Sequence, residues 1–179
     1  QIEAVRLLLN CDYDIHICDE YGDTALHYAA RKGNCEIAYI LLQEGVDINA
    51  KNKIGETALH ISVEFDSLDL ANLLIDFGID INATNYLQSE STALHIAIEM
   101  GNSKLVSLLV KHANVNVKDR HHQTPLHIAA GYNFIAECAL LIENGGEINC
   151  KDNKMSTPLE LATINWKPSL VKLLLDSGA

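Results

Sequence analysis

Aromatic side chains are scarce in this sequence, at 6% of 179 residues, and proline occurs only three times. Any core it builds must therefore be mostly aliphatic, and the chain is long enough to enclose one. No apolar run approaches the ~18 residues that cross a bilayer, so no membrane insertion is expected, and no secretory leader is visible. Basic residues are in the minority: 13 Lys and Arg against 24 Asp and Glu leave a net charge of −11. They are also scattered, whereas a nucleic-acid binder needs a basic footprint to displace counterions from phosphates; no nucleic-acid partner is expected. An acidic surface instead favours a basic partner, weakly and with a salt dependence. The five cysteines (Cys11, Cys18, Cys35, Cys138 and Cys150) are odd in number and form no CxxC. That argues against a disulfide framework or a structural zinc site. It fits a reducing, intracellular setting, cytoplasmic first, with the nucleus as the alternative. Asn82-Ala83-Thr84 matches the N-glycosylation pattern, but so short a match arises readily by chance. The chain begins at Gln1 rather than Met and is expected to be a fragment or a processed form.

What the sequence has in abundance is itself. "TALH" occurs at Thr24–His27, Thr57–His60 and Thr92–His95, "TPLH" at Thr124–His127 and "TPLE" at Thr157–Glu160, and the gaps between the threonines are 33, 35, 32 and 33 residues. Aliphatic triplets keep step, from Leu7-Leu8-Leu9 through Ile40-Leu41-Leu42 to Leu173-Leu174-Leu175. Phrases such as "DIN" at 47 and 80 follow them, and then a turn phrase such as "DEYGD" from Asp19 or "NKIGE" from Asn52.

Each phrase has a local reading. Asp or Asn with Gly three residues on suits a β-turn, since the carboxylate or amide bonds the backbone and Gly accepts positive φ. Thr then stands where its hydroxyl can cap a helix, and Pro125 and Pro158 take the first helical position, which tolerates proline. A short Ala-rich helix follows and stops near Gly33 or Gly101; a second helix carries the aliphatic triplet and stops at Gly45, Gly78, Gly145 or Gly178. Neither helix can bury its apolar side within ~33 residues, but stacked copies cover one another. The expected class is all-α: a solenoid of helix pairs, curved because the first helices are slimmer, with those helices and the turn tips on the concave side.

The "TPLHIA" phrase at 124–129, the 33-residue period, the "G-x-DIN" loops and the closing "LLLDSGA" together resemble the ankyrin repeat family. The resemblance covers essentially the whole chain. It implies about five and a half repeats in a single domain over 1–179: a partial repeat at 1–18, whole repeats at 19–51, 52–84, 85–118 and 119–151, and a nearly complete one at 152–179.

The recurrent histidines invite a metal or catalytic reading. Equivalent positions in a stack lie ~8–10 Å apart, whereas a zinc ion holds its ligands at ~2 Å and a nucleophile–base pair needs ~3 Å. His27, His60, His95 and His127 can therefore share neither, and the resemblance implies that they brace the turn with Thr. The asparagines at 49, 82, 116 and 149 read as loop scaffolding. His121-His122 at a turn tip could bind a metal or sense pH, but the surface role is the simpler one, and Cys150 reads as a small packing residue. No nucleophile grouping or phosphate loop is present, so the chain is expected to be no enzyme, with no catalytic residue, metal or cofactor.

The repeat breaks in four places. "NYLQSES" at Asn85–Ser91 has two extra residues and should form a longer finger. "LLVKHANVN" at 108–116 is one residue short and lacks glycine, so its helix should end about one residue early. Asp66 and Trp166 replace the glycine that ends the first helix; Asp tolerates that conformation, while Trp should force the turn into another shape, with its indole covering the end of the stack. Ile2, Val5, Val171 and Leu174 are expected at uncovered ends.

Framework positions repeat, while turn tips and first-helix ends vary. Varied side chains on a rigid curved surface are what a binding groove requires, and the candidates are Tyr21, Asp23, Arg31, Ile54, Glu56, Phe65, Tyr86, Leu87, Met100, His121, Gln123 and Tyr132. Aromatics and Met are enriched at interface hot spots. The expected function is a non-catalytic scaffold, a monomeric domain within a longer chain, that binds a protein, a basic one being favoured. The alternatives are a regulatory or targeting segment of a larger enzyme, channel or toxin, or a viral or host-associated microbial adaptor or effector.

Overall fold

The computed structural model describes residues 14–86 and 89–179. The chain divides into two compact units, Gln1–Asn85 and Tyr86–Ala179. The first holds α1 (Ala25–Arg31), α2 (Cys35–Gln43), α3 (Ala58–Glu64) and α4 (Leu68–Asp76). The second holds α5 (Ala93–Glu99), α6 (Ser103–Leu109), α7 (Pro125–Tyr132), α8 (Ile135–Glu143), α9 (Pro158–Ile164) and α10 (Pro168–Asp176). Extended pairing among the described residues is confined to an isolated bridge between Cys18 and Thr24.

The Thr-led phrase sets each first helix. Thr24, Thr57, Thr92, Thr124 and Thr157 all have extended backbone before the helix starts, and each forms a reciprocal cap with the residue three positions on. Such a box ordinarily pairs Ser or Thr with Glu or Gln, and the last copy does so: Thr157 N–H donates to Glu160 Oε2 at 2.8 Å. In the other four, histidine does the work. Thr24 N–H donates to His27 Nδ1 at 3.1 Å, and Thr57, Thr92 and Thr124 repeat the bond to His60, His95 and His127. Because Nδ1 accepts, the ring proton resides on Nε2, and that nitrogen reaches forward. It donates to Glu56 O from His27 (3.0 Å), to Gln123 O from His95 (3.3 Å) and to Ser156 O from His127 (3.2 Å). Histidine thus caps its own helix and ties down the following turn, a second bond that Glu160 has no donor to make.

Within each unit helix pairs lie side by side, α1 on α2 and α3, α3 on α4, α5 on α6 and α7, and α7 on α8 and α9. Ala30, Ala97, Ala129, Ala130 and Ala162 are fully buried where first helices meet, and the leucines of the Thr-led phrase (Leu26, Leu59, Leu94, Leu126) lie beneath them. One leucine of each described triplet, from Leu41 and Leu74 to Leu109, Leu141 and Leu174, is buried with them; each such burial contributes ~1.5–3 kcal/mol. Asparagine scaffolding joins successive loops: Asn49 Oδ1 accepts from Asp80 N–H and Asn116 Oδ1 from Glu147 N–H, both at 2.8 Å.

Three expectations fail. Helix α6 has seven residues where α2, α4, α8 and α10 have nine, so it stops two residues early rather than one; the amides of His112 and Ala113 both fold back onto Leu109 O. The turn at Trp166 is not reshaped. Trp166 takes φ +53° in the place where Gly33 has +61° and Gly101 has +66°, and its amide bonds Thr163 O at 3.0 Å just as Gly33 bonds Ala30 O. Nor does its indole cover anything, being 89% exposed. Leu174 is buried rather than at an open face, and Leu175 is the exposed member of its triplet. Ile2, Val5 and the first triplet lie outside the described residues.

Candidate partner-binding surface

The turn tips form one construction several times over. In the first described copy the Asp19 carboxylate accepts from the amides of Tyr21 and Asp23, both at 2.8 Å, and Gly22 N–H closes the turn onto Asp19 O at 3.0 Å. Asn52, Asp119 and Asp152 hold their own turns in the same way. Adjacent tips are then laced together: Lys53 N–H donates to Tyr21 O (2.9 Å), Arg120 N–H to Ser89 O (2.8 Å) and Asn153 N–H to His121 O (2.9 Å). The tips are therefore fixed, and the side chains they carry are presented on rigid backbone.

In the first unit these side chains surround a cavity of about 390 Å³ lined by Tyr21, Asp23, Tyr28, Arg31, Asn52, Lys53, Ile54 and Glu56. A chain of hydrogen bonds runs along its floor. Arg31 pairs with Asp23 at 2.8 Å; Asp23 Oδ1 accepts from Asn52 Nδ2 at 2.9 Å; and the same amide donates to Glu56 Oε2 at 3.1 Å. Burial, and then the neighbouring Glu56, push the Glu64 carboxyl up to about 7. Tyr28 donates to Asp19 Oδ2 at 2.7 Å, which holds that carboxylate below its usual range, and the Arg31 guanidinium lies 5.6 Å from the Tyr28 ring centre.

The candidate residues separate by burial. Tyr21 is 65% exposed, and Ile54 and Phe65 also face solvent, whereas Asp23 and Glu56 are only 5% exposed. The last two serve the internal network first and reach the surface only through the cavity; Arg31 lies between these extremes. In the second unit Met100 and Tyr86 are exposed, and Tyr132, 59% exposed, stacks on Phe134 with ring centres 5.6 Å apart. His121 is exposed and Gln123 is half-buried against Asp152, at 3.4 Å. Leu87 lies outside the described residues. Among the described residues no group of three or more His, Cys, Asp or Glu is arranged to hold a metal ion, and no helix is long and apolar enough to cross a membrane.

The description "Ankyrin repeats (3 copies)" matches residues 1–85, 44–119 and 94–179, which together take in the whole chain. The chain is an ankyrin repeat protein. It is 32% identical over 180 residues to the Fowlpox virus (strain NVSL) ankyrin repeat protein FPV014, a match covering 99% of this chain and 33% of that one. It is 48% identical over 169 residues to FPV228 of the same virus, covering 92% and 32%. A shorter match, 36% over 72 residues, covers 40% of this chain and 9% of the potassium channel GORK of Arabidopsis thaliana. The chain thus spans about a third of the length of its viral relatives.

The fold is the all-α ankyrin solenoid, and ankyrin repeats are in general protein–protein interaction modules, typically without catalysis. In that ankyrin framework the sequence missed two parts of the surface. Tyr28 falls inside a helix that reads as buried, yet its ring is exposed beside Arg31, and only its three-residue offset from Arg31 could have given it away. Met155 stands in the glycine place of its turn, and its exposure follows from that place alone.

Proposed function

We propose that residues 1–179 act as one ankyrin domain, a non-catalytic intracellular scaffold that grips a protein partner along the concave side of its turn tips and first-helix ends. The observation that carries this reading is the exposure of Tyr21, Ile54, Phe65, Tyr86, Met100 and Tyr132 on backbone that hydrogen bonds hold rigid. Large apolar side chains fixed in place lose little entropy on binding, which is the economy of a hot spot. The net charge of −11 supports a basic partner. Leu87 belongs to the proposed surface by its sequence position alone, in the phrase with two extra residues before Thr92.

A second reading is supported by the relatives' lengths: the chain serves as the targeting segment of a longer protein. The Fowlpox virus matches favour a viral adaptor among such proteins, and the potassium channel match shows that comparable repeats occur within a larger molecule.

The test is selection of a displayed peptide library on the wild-type chain and on Tyr21→Ala/Tyr132→Ala. Clones that bind the first are expected to bind the double variant at least tenfold more weakly, the loss of two anchors worth ~1 kcal/mol or more each. The melting temperature should move little. Equal binding by the double variant would remove the aromatic surface from the proposal, and a collapsed melting transition would assign both rings to the core.

A further inference from the structure

Each first helix ends in a turn that leads into the second helix, at the far end of the first helix from its tip. In the second unit these turns lie at 99–103, 131–135 and 164–168. They touch one another. A β-carbon on Gly101 would meet the Phe134 ring at 3.3 Å, and Asn165 Nδ2 donates to Gly131 O at 3.3 Å. The chain gives up local stabilisation on this edge to place large apolar groups there. Asn34 and Asn102 cap α2 and α6, their Oδ1 atoms accepting from Ile37 N–H at 3.0 Å and Leu105 N–H at 3.2 Å. Before α8 and α10 the same place holds Phe134 and Lys167, whose side chains have no acceptor to offer. Trp166 enters the left-handed region with its indole in solvent, and Ile135 and Ile164 are exposed on the same turns.

The charge of this edge departs from that of the chain. Its exposed or half-buried ionic side chains are Lys104 and Lys167. Glu99 looks toward Asp119 at the following tip. Glu137, in the first turn of α8, is buried and accepts a hydrogen bond from Ser103. A chain of net charge −11 thus carries an apolar ledge flanked by cations.

We propose that this edge of the second unit receives an acidic amphipathic helix from a protein partner, its apolar stripe on Phe134, Ile135, Ile164 and Trp166 and its carboxylates on Lys104 and Lys167. Charge complementarity selects the acidic partner. Spacing selects the helix. The turns at 131–135 and 164–168 stand one repeat apart, ~8–10 Å. Residues seven apart on an α-helix share a face at ~10 Å. Residues three apart on a strand span the same distance but point to opposite faces. A lipid surface would also accept Trp and Lys, but the net charge of −11 opposes approach to anionic headgroups. This inference goes beyond the protein-binding reading of the tips: it adds a second surface, sharing with the first only Tyr132, which stacks on Phe134.

Trp166 is the single tryptophan of the chain, so its fluorescence reports on this edge alone. The probe is an amidated peptide of about 15 residues made of Leu, Ala and Glu, with Leu at every third or fourth place and no aromatic residue. One control exchanges every Glu for Lys, and another every Leu for Ala. The acidic peptide is expected to move Trp166 emission to shorter wavelength and to saturate, with a dissociation constant of ~0.1 mM. Lys104→Glu/Lys167→Glu should weaken it about fivefold or more, and added salt should weaken it as well. Ile164→Ala should also cost about fivefold, while Tyr21→Ala should leave the affinity unchanged. Melting curves check that each variant folds, and if the charge reversal does not, Lys104→Gln/Lys167→Gln takes its place. The proposal is overturned if the emission does not move, if either control peptide moves it equally, or if removing the two cations changes nothing. It is also overturned if phosphatidylcholine–phosphatidylserine vesicles move the emission and the acidic peptide does not. Any of these results, with library peptides still lost on Tyr21→Ala/Tyr132→Ala, would leave the reading of the tips standing.

Discussion

The two units solve one backbone problem with different residues. In the first, the turn tips place glycine in the left-handed region, Gly22 at φ +81° and Gly55 at +79°. In the second, the same place is held by Glu90, His122 and Met155, at +52°, +56° and +64°, and helix ends add Asn133 and Trp166, whereas among the described residues of the first unit Asp66 is the single non-glycine of this kind. Left-handed backbone costs an ordinary L-residue ~1–2 kcal/mol. The second unit carries that cost repeatedly, and Glu90, His122, Met155 and Trp166 are all exposed, so no packing offsets it. Stability does not account for these residues. The first unit keeps glycine where a β-carbon at Gly22 would press on the next tip, and the second unit carries side chains in the corresponding places.

The largest effect should come from exchanging the two solutions. An added methyl at Gly22 would stand 2.9 Å from the backbone nitrogen of Lys53, in a turn whose amide is held by its bond to Tyr21 O. Gly22→Ala should cost about 2–3 kcal/mol, steric and conformational terms together. His122→Ala, in the corresponding place of the second unit, should stay within about 0.5 kcal/mol, because that backbone already holds a β-carbon. Urea denaturation of both variants decides it, and equal costs would erase the distinction between the units.

A smaller effect of opposite sign follows at the strained positions. Met155→Gly and Trp166→Gly each relieve ~1–2 kcal/mol of backbone strain and give back ~0.5–1 kcal/mol through the freer unfolded chain. A net gain of roughly 0.5–1 kcal/mol is expected for each, read from the denaturation midpoint at unchanged slope. Asp66→Gly in the first unit should gain less, because aspartate enters this region more readily. If Trp166→Gly lowers stability, the exposed indole has a structural partner that its 89% exposure denies.

How much of this was legible in the sequence depends on the range of the interaction. The threonine caps were, because capping is local, whereas the part His27 plays in them was implied by the resemblance to ankyrin repeats. The repeat spacing also announced the stacking of Leu26, Leu59, Leu94 and Leu126. The floor of the cavity was not legible: Asp23, Asn52 and Glu56 read as surface polar residues, and only a bond across 29 positions turns them inward. Trp166 misled for a related reason. Its own preference argues against φ +53°, but the bonds of Trp166 to Thr163 and of Lys167 to Ala162 hold the turn that seats α10 on α9, and the whole repeat outvotes one residue.

The finest distinction between the units is their response to acid. In the second unit burial depresses the pKa of His95 and His127, and burial and then Asp119 raise that of Glu99, while in the first unit burial and Glu56 raise that of Glu64 from 4.5 to about 7. A histidine that resists protonation when folded binds fewer protons than its unfolded counterpart, so its contribution is present above the unfolded value of 6.5 and is lost as pH falls below it. A carboxyl with a raised pKa does the reverse: the folded form holds the proton longer, and stability is gained as pH falls from about 7 toward 4.5. Between those limits the two oppose each other, and the wild-type melting temperature should change less than either would dictate alone. Glu64→Gln should expose the histidine slope, so that the protein loses stability on acidification more steeply than the wild type; His127→Asn should tilt the balance the other way. Melting curves recorded from about pH 7.5 to pH 5 measure both slopes, and a Glu64→Gln profile parallel to the wild type would mean that the carboxyl pair holds no extra proton in the folded chain.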